Sequence, residues 1–339
     1  MNNKHILVTG GAGYIGSHTV VELVKAGYEP VIADDFRNSN KNVLEGIERI
    51  TGKAPVYREI DVTDKAALKV LFEQYYFHGI IHFAAYKAVG ESVANPLMYY
   101  RNNLLSLISC LELSEEFNIQ HFVFSSSCTV YGDPDEISVD ELTGTKEANS
   151  PYGATKQMSE RIITDVHRSG SVTGFIALRY FNPVGAHPSS EIGELPIGRP
   201  NNLLPYVTQT GVGFLEELTV YGNDYDTPDG TCIRDYIHVV DLAKAHVKAL
   251  NWLENNPGKF EVVNVGTGVG SSVLEIVNTF ERVSGKKLNW KFGPRRPGDV
   301  EKIYAKVGKS KELLNWTAEL SIEDAVRDAW NWEKKIRNV

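Results

Sequence analysis

Between an apolar run, Ile6-Leu7-Val8, and a stretch whose apolar residues recur at helical intervals, the chain carries Gly10-Gly11-Ala12-Gly13-Tyr14-Ile15-Gly16. Glycine at 10, 13 and 16 allows a tight turn and leaves backbone N–H groups free to approach an anion, with the positive end of a helix behind them. A strand, a glycine turn and a helix in that order open a parallel βαβ unit and little else. Three glycines would also serve an ordinary tight turn, so the rest of the chain has to decide.

The alternation continues. EPVIAD, PVYREI, GIIHFAA, HFVFSS and TGFIALRYF read as strands, separated by helical patterns near residues 40–51, at DKAALKVLFEQYY, from about Ser92 to Glu116, and from Tyr152 onward. Gly27 suits the end of the first helix. After Phe181 the texture changes to NPVGAHPSSEIGELPIGRPNN, rich in Gly and Pro, as expected of an ordered loop or a ligand-covering connection. Later segments supply helices at LLPYVTQTGVG, VVDLAKAHVKALNWLEN and IEDAVRDAWNWEKKI, with strand-like ELTVYG and FEVVNVG between them. The expected fold is α/β: a Rossmann-type doubly wound parallel sheet with a smaller mixed α/β substrate lobe. Residues 1–182 form mainly the first unit and 183–339 mainly the second, with some later segments returning to the first sheet.

Lys plus Arg total 35 against 43 Asp plus Glu, a formal net charge of -8, which works against gripping a nucleic-acid backbone but permits a small phosphorylated ligand held by a few aimed donors. No run approaches the roughly 18 to 20 apolar residues of a membrane span. Cys110, Cys128 and Cys232 are too far apart in sequence for a CxxC pair and read as free thiols, and the N-terminal residues show no export pattern; a cytoplasmic protein is expected. His82, His121 and His238 lie in apolar segments and read as packed or locally hydrogen-bonded residues, and no metal-ligand motif accompanies them.

Asp34, 18 residues beyond Gly16 at the end of the second strand, can accept hydrogen bonds from an adenosine ribose and would repel a 2′-phosphate; only Arg37 is a nearby arginine. NAD is therefore expected rather than NADP. Asp61 would hold the adenine, although it or Asp64 could equally cap a helix. Phe83, Ala84 and Ala85 would floor the dinucleotide or simply pack the strand end.

Tyr152 and Lys156 stand four positions apart on a predicted helix and face one cleft. A neighbouring ammonium, together with a cationic nicotinamide, would favour the phenolate and make Tyr152 a proton acceptor, while Lys156 reaches the nicotinamide ribose. Ser127 would donate to the substrate oxygen; Ser125 and Ser126 are expected to satisfy local backbone. An isolated YxxxK recurs on many helices, but here it follows a dinucleotide turn and a polar strand end.

With GGAGYIGSH, HFAAYKAVGESV, FVFSSSCTVYG, SPYGATK, RYFNPVGAHPS, PNNLLPYV, GNDYDTPDGTCIRDYIHVVDLA and RRPGDV, nearly the whole chain resembles the extended short-chain dehydrogenase/reductases, and within them the UDP-galactose 4-epimerase family. The resemblance implies reversible C4 epimerisation of UDP-galactose and UDP-glucose through a 4-keto sugar, with tightly bound NAD as transient hydride acceptor and a homodimeric enzyme. It extends the dinucleotide contacts to Tyr14, Ile15, Asn38, Ser39, Val62, Lys87, Asn102 and Tyr180. It places Lys87, Ser127, Tyr152, Tyr180, Phe181, Asn182, Asn202, Leu203 and Tyr236 on the UDP-sugar, with Arg234 and Arg296 on its diphosphate and Asp299 on its ribose. Ile303 falls where relatives carry a larger Tyr or a smaller Cys, which leaves UDP-N-acetylhexosamines open. The related 4,6-dehydratases commonly place Asp-Glu after the active Ser or Thr, whereas Cys128 and Thr129 follow Ser127 here; another NAD-dependent nucleotide-sugar epimerase is the larger alternative, and a non-enzymatic NAD-responsive protein is a further one.

Overall fold

The computed structural model describes residues 4–296 and 300–339. The first strand, β1 (His5–Thr9), runs into the glycine turn and then α1 (Tyr14–Lys25), after which β2 (Glu29–Asp34), α2 (Asn42–Thr51), β3 (Val56–Glu59), α3 (Lys65–Gln74) and β4 (Phe77–His82) repeat the unit. Gly27, at φ +85°, turns the chain after α1 without steric cost. The helix expected from about Ser92 is two helices, α4 (Val89–Ala94) and α5 (Pro96–Glu116). Pro96 has no N–H to continue the first and forces Asn95 out of helical geometry (φ -131°, ψ 58°), yet it fits the first turn of the second.

The chain continues through β5 (His121–Ser125), the short β6 (Ser138–Val139), α6 (Pro151–Arg168), β7 (Gly174–Tyr180), β8 (Asn182–Val184), α7 (Leu203–Gly211), β9 (Leu218–Tyr221), β10 (Ile233–His238), α8 (Val239–Asn255) and β11 (Phe260–Val265). It ends with β12 (Gly270–Ser272), α9 (Val273–Ser284), β13 (Trp290–Gly293), β14 (Lys302–Ala305), α10 (Gly308–Leu314) and α11 (Ile322–Arg337). Seven parallel strands make the main sheet in the order β11-β7-β5-β4-β1-β2-β3. The order in which strands are added reverses between β1 and β4, the position where open α/β sheets bind ligands at the carboxyl ends of their strands.

Strands rich in Ile, Val, Leu and Phe demand cover on both faces, and they receive it. One face packs Ile6, Val8 and Ile32 beneath Val20 and Leu23 of α1 and Leu242 and Leu250 of α8. The other packs Leu7, Ile80 and Phe122 beneath Leu71 and Phe72 of α3, Leu107 of α5 and Ile163 of α6. A third cluster, around Leu204, Val207, Phe280 and Trp330, forms the core of the smaller lobe. There β10 pairs with β8, β12 and β14, and the register sets Tyr236 beside Asn182 and Arg234 beside Ile303. Among the described residues, no helix is long and apolar enough to cross a membrane.

Candidate active site

A cleft of about 640 Å³ opens over the carboxyl ends of β1, β2, β4 and β5, and every residue expected to touch a dinucleotide borders it. Its floor is the glycine turn. Gly10 lies at φ +67°, and a Cβ there would fall 2.8 Å from Ala84 N. At Gly16 a Cβ would press against the Gly10 carbonyl and lie 2.8 Å from Gly11 Cα, both backbone and unable to move aside. α1 begins at Gly13 with no side-chain cap, so its first amides remain available to an anion.

Asp34 completes the fit. Ala12 N donates to Oδ2 at 3.0 Å, while Phe36 N and Ser39 Oγ donate to Oδ1 at 2.9 and 3.0 Å. Three of roughly four acceptor positions on a carboxylate are thus used, which orients the group and leaves room for one ribose hydroxyl. Burial raises its pKa, and the two backbone donors and Ser39 act against that. Arg37, the arginine that follows Asp34 in the chain, is committed to Asp35 at 2.6 Å, to Asp61, and to Tyr86 Oη at 2.9 Å. Asp61 borders the cleft and also accepts from Thr63, whereas Asp64 is the residue that caps α3. These residues fit a dinucleotide carrying a free 2′-hydroxyl.

At the inner end of the cleft, α6 presents Tyr152 and Lys156, its start fixed by the Ser150 side-chain cap and by Pro151 in the first turn. Lys156 Nζ donates to Ser125 O at 2.6 Å and stands 4.9 Å from the Phe124 ring centre and 5.8 Å from that of Tyr152. Burial lowers its pKa to about 8, with Glu160 opposing the shift. Burial pushes the Tyr152 phenol well up, nearby Tyr180 adds to that, and a hydrogen bond with Ser127 acts the other way. In the protein alone the Lys156 ammonium is given to the Ser125 carbonyl, and burial acts against the Tyr152 phenolate.

The serines also depart from expectation. Ser125 Oγ meets Tyr180 Oη at 2.7 Å, and Ser126 Oγ donates to Glu160 Oε1 at 2.5 Å, so both bond side chains rather than local backbone. Glu160 in turn holds Arg179 at 3.0 and 2.7 Å in a buried pair. Ser127 starts a 3₁₀ turn, Cys128–Tyr131, accepting from Thr129 N at 3.2 Å. His82 Nδ1 lies 2.8 Å from Thr9 Oγ1, and His238 caps α8 and faces Asp328 at 3.3 Å.

Of the residues expected on the nucleotide-sugar, Lys87, Tyr152, Tyr180 and Asn202 border the same cleft. Ser127, Phe181, Asn182, Leu203, Arg234, Tyr236, Arg296 and Ile303 lie outside its lining, and Asp299 lies outside the described residues. Phe181 and Ile303 are buried together with Val130, Tyr131 and Val139. Arg234 Nη1 donates to Ile233 O at 2.9 Å, and the Arg296 guanidinium stands 5.8 Å from the Tyr221 ring. Sequence reasoning missed part of the wall: Glu191, Glu194, Trp332 and Lys335 border the cleft although two lie in the Gly/Pro-rich connection and two on the terminal helix. The loop texture pointed to a covering segment, but nothing in the α11 pattern distinguishes Trp332 from a lobe-packing residue.

The GDP-mannose 4,6 dehydratase family model matches residues 7–329. At the level of individual proteins, the UDP-glucose 4-epimerase of Bacillus subtilis is 50% identical over 333 residues, covering 98% of each chain. The chain belongs to the UDP-glucose 4-epimerase family. The crystal structure of the Bifidobacterium longum UDP-glucose 4-epimerase in complex with NAD+ and UDP superimposes with a TM-score of 0.95 at 46% identity, covering 99% of both chains. The Stenotrophomonas maltophila UDP-glucose-4-epimerase with bound NAD and formylated UDP-arabinopyranose gives 0.96 at 43% identity, again over 99% of each. Members of the epimerase family thus match nearly the whole chain, the part after Phe181 included.

Proposed function

We propose that Tyr152 is the proton acceptor and donor in an NAD-dependent C4 epimerisation of UDP-sugars, interconverting UDP-galactose and UDP-glucose through a 4-keto sugar. The observation that carries this reading is the meeting of Tyr152, Lys156, Ser125 and Tyr180 at the inner end of a cleft floored by Gly10, Gly13 and Gly16. NAD, when bound, supplies a reversible hydride acceptor. Gly13 and the first amides of α1 hold its diphosphate, Asp34 its adenosine ribose, and Lys156 its nicotinamide ribose. Tyr152 takes the 4-hydroxyl proton and later returns it to the opposite face of the same carbon, with Ser127 orienting the oxygen. Burial acts against the Tyr152 phenolate, and the charge of a bound cationic nicotinamide would favour it.

The sugar's nucleotide end is assigned to Asn202, Leu203, Arg234, Arg296 and Asp299, which tether the keto sugar while its hexose turns; Phe181, Asn182 and Tyr236 bound the space it turns in. Residues 183–339 thus mainly serve the UDP-sugar and 1–182 the dinucleotide. A dehydratase reading has less support. Cys128 and Thr129 stand where that chemistry would need an acid/base pair, and burial pushes the Cys128 thiol up to about 12, too high for a working base near neutral pH.

Exposed apolar residues on neighbouring helices, Leu97 at 81% and Leu105 on α5 with Met158 on α6, support a homodimer joined through these helices. Three unpaired cysteines fit a cytoplasmic setting. UDP-N-acetylhexosamine acceptance depends on whether the packing around Ile303 admits a 2-acetamido group. Purified protein incubated separately with UDP-galactose, UDP-glucose and both UDP-N-acetylhexosamines should invert C4 of the first two without added electron acceptor. No inversion by folded, NAD-loaded protein would refute the assignment, and a deoxy-keto product would transfer it to dehydration. Sedimentation of the same preparation tests the dimer.

A further inference from the structure

Lys87 and Asn202 enter the cleft from different parts of the fold, the first from the segment after β4 and the second from the start of α7. Both give their donors to one acceptor, Glu194 Oε1: the Lys87 ammonium at 3.4 Å and the Asn202 amide at 2.6 Å. Glu194 is held from behind, where its backbone carbonyl accepts Trp332 Nε1–H at 3.0 Å. Gly193 lies so near that indole that a Cβ would fall 2.5 Å from it. Asn202 occupies the N-cap position of α7 yet makes no side-chain cap, although an asparagine there ordinarily turns its oxygen to the helix amides. Its commitment to Glu194 accounts for the missing cap.

A carboxylate is a costly wall residue for a cleft that takes diphosphates. The Glu194 side chain is 11% exposed against 47% for Lys87, so its charge is only partly screened. We infer that Glu194 is a positioning residue that parks Lys87 and Asn202 until an incoming diphosphate takes both donors from it. The inference rests on the UDP-sugar reading above. Its effect is an opposing charge that loosens nucleotide binding and so favours nucleotide release after the sugar has been inverted.

Calorimetric titration of UDP into the NAD-loaded protein, at low and high salt, tests this. Glu194→Gln removes the charge while keeping an oxygen for Asn202; UDP affinity should rise roughly three- to tenfold, with the gain shrinking at high salt. Glu194→Ala, which also loses the Asn202 anchor, should gain less. In a Lys87→Met background the Gln substitution should change affinity by less than roughly twofold, because no ammonium remains to be released. Unchanged or weaker UDP binding by Glu194→Gln, or an equal gain without Lys87, would overturn the inference. A parent protein that binds no UDP would instead remove the UDP-sugar reading, and the role of Glu194 with it.

Discussion

Replacing Lys156 by methionine should abolish turnover and at the same time make the protein more stable. Lys156 is 5% exposed, and burial moves its pKa from the ordinary 10.5 to about 8. A depression of that size corresponds to roughly 3 kcal/mol of penalty for carrying the charged form in the folded state. Methionine escapes it but gives up the donation to Ser125 O at 2.6 Å and the contact with Phe124, together about 1 to 2 kcal/mol. The balance favours the variant by about 1 to 2 kcal/mol near neutral pH, or about 1 to 3 °C in melting temperature for a chain of this size.

The pH dependence isolates the cause. Because the folded value lies below the unfolded one, the parent has its full stability above 10.5 and loses it as the pH falls toward about 8. The variant has no such loss. Denaturant unfolding at about pH 7 and about pH 10 should therefore show its advantage shrinking at the higher pH. The same difference at both pH values would refute the reasoning, because lost contacts alone carry no such dependence.

Tyr152→Phe should lower turnover by roughly 10²- to 10⁴-fold while UDP binding, measured by calorimetry, stays near the parent's. Gly16→Ala sets a methyl against the Gly10 carbonyl and 2.8 Å from Gly11 Cα, so the purified variant should carry less NAD, read from its nucleotide content after heat release. Glu160→Ala strands the buried Arg179 guanidinium, whose side chain is 8% exposed, and should cost about 3 to 5 kcal/mol in denaturant unfolding.

The main sheet was legible because its strands are short apolar runs between helical patterns, and the glycine turn located their carboxyl ends. The break at Asn95-Pro96 was not read, although Pro96 can occupy only the first turn of a helix and so divides the expected one into α4 and α5. β10 gave no such signal. Its Asp235 is fully buried and accepts from Thr267 N and Oγ1, Gly268 N and Ala305 N, so a carboxylate stands where an apolar residue marks a strand. The dinucleotide wall was legible through local motifs. Glu194 was not, because its meaning comes from Lys87, Asn202 and Trp332, which only the tertiary fold brings to it.

β11 reaches the sheet only after the chain has left β7, built β8, α7, β9 and β10, and returned through α8. A ribosome that has released the first seven strands still has an open edge on β7, with Phe175 and Leu178 short of their partners Phe260 and Val263. The main sheet therefore takes its last strand from the later part of the chain. Truncation near residue 182 would remove β11 and make β7 the edge strand in its place, with Phe175 and Leu178 facing solvent where Phe260 and Val263 now pair.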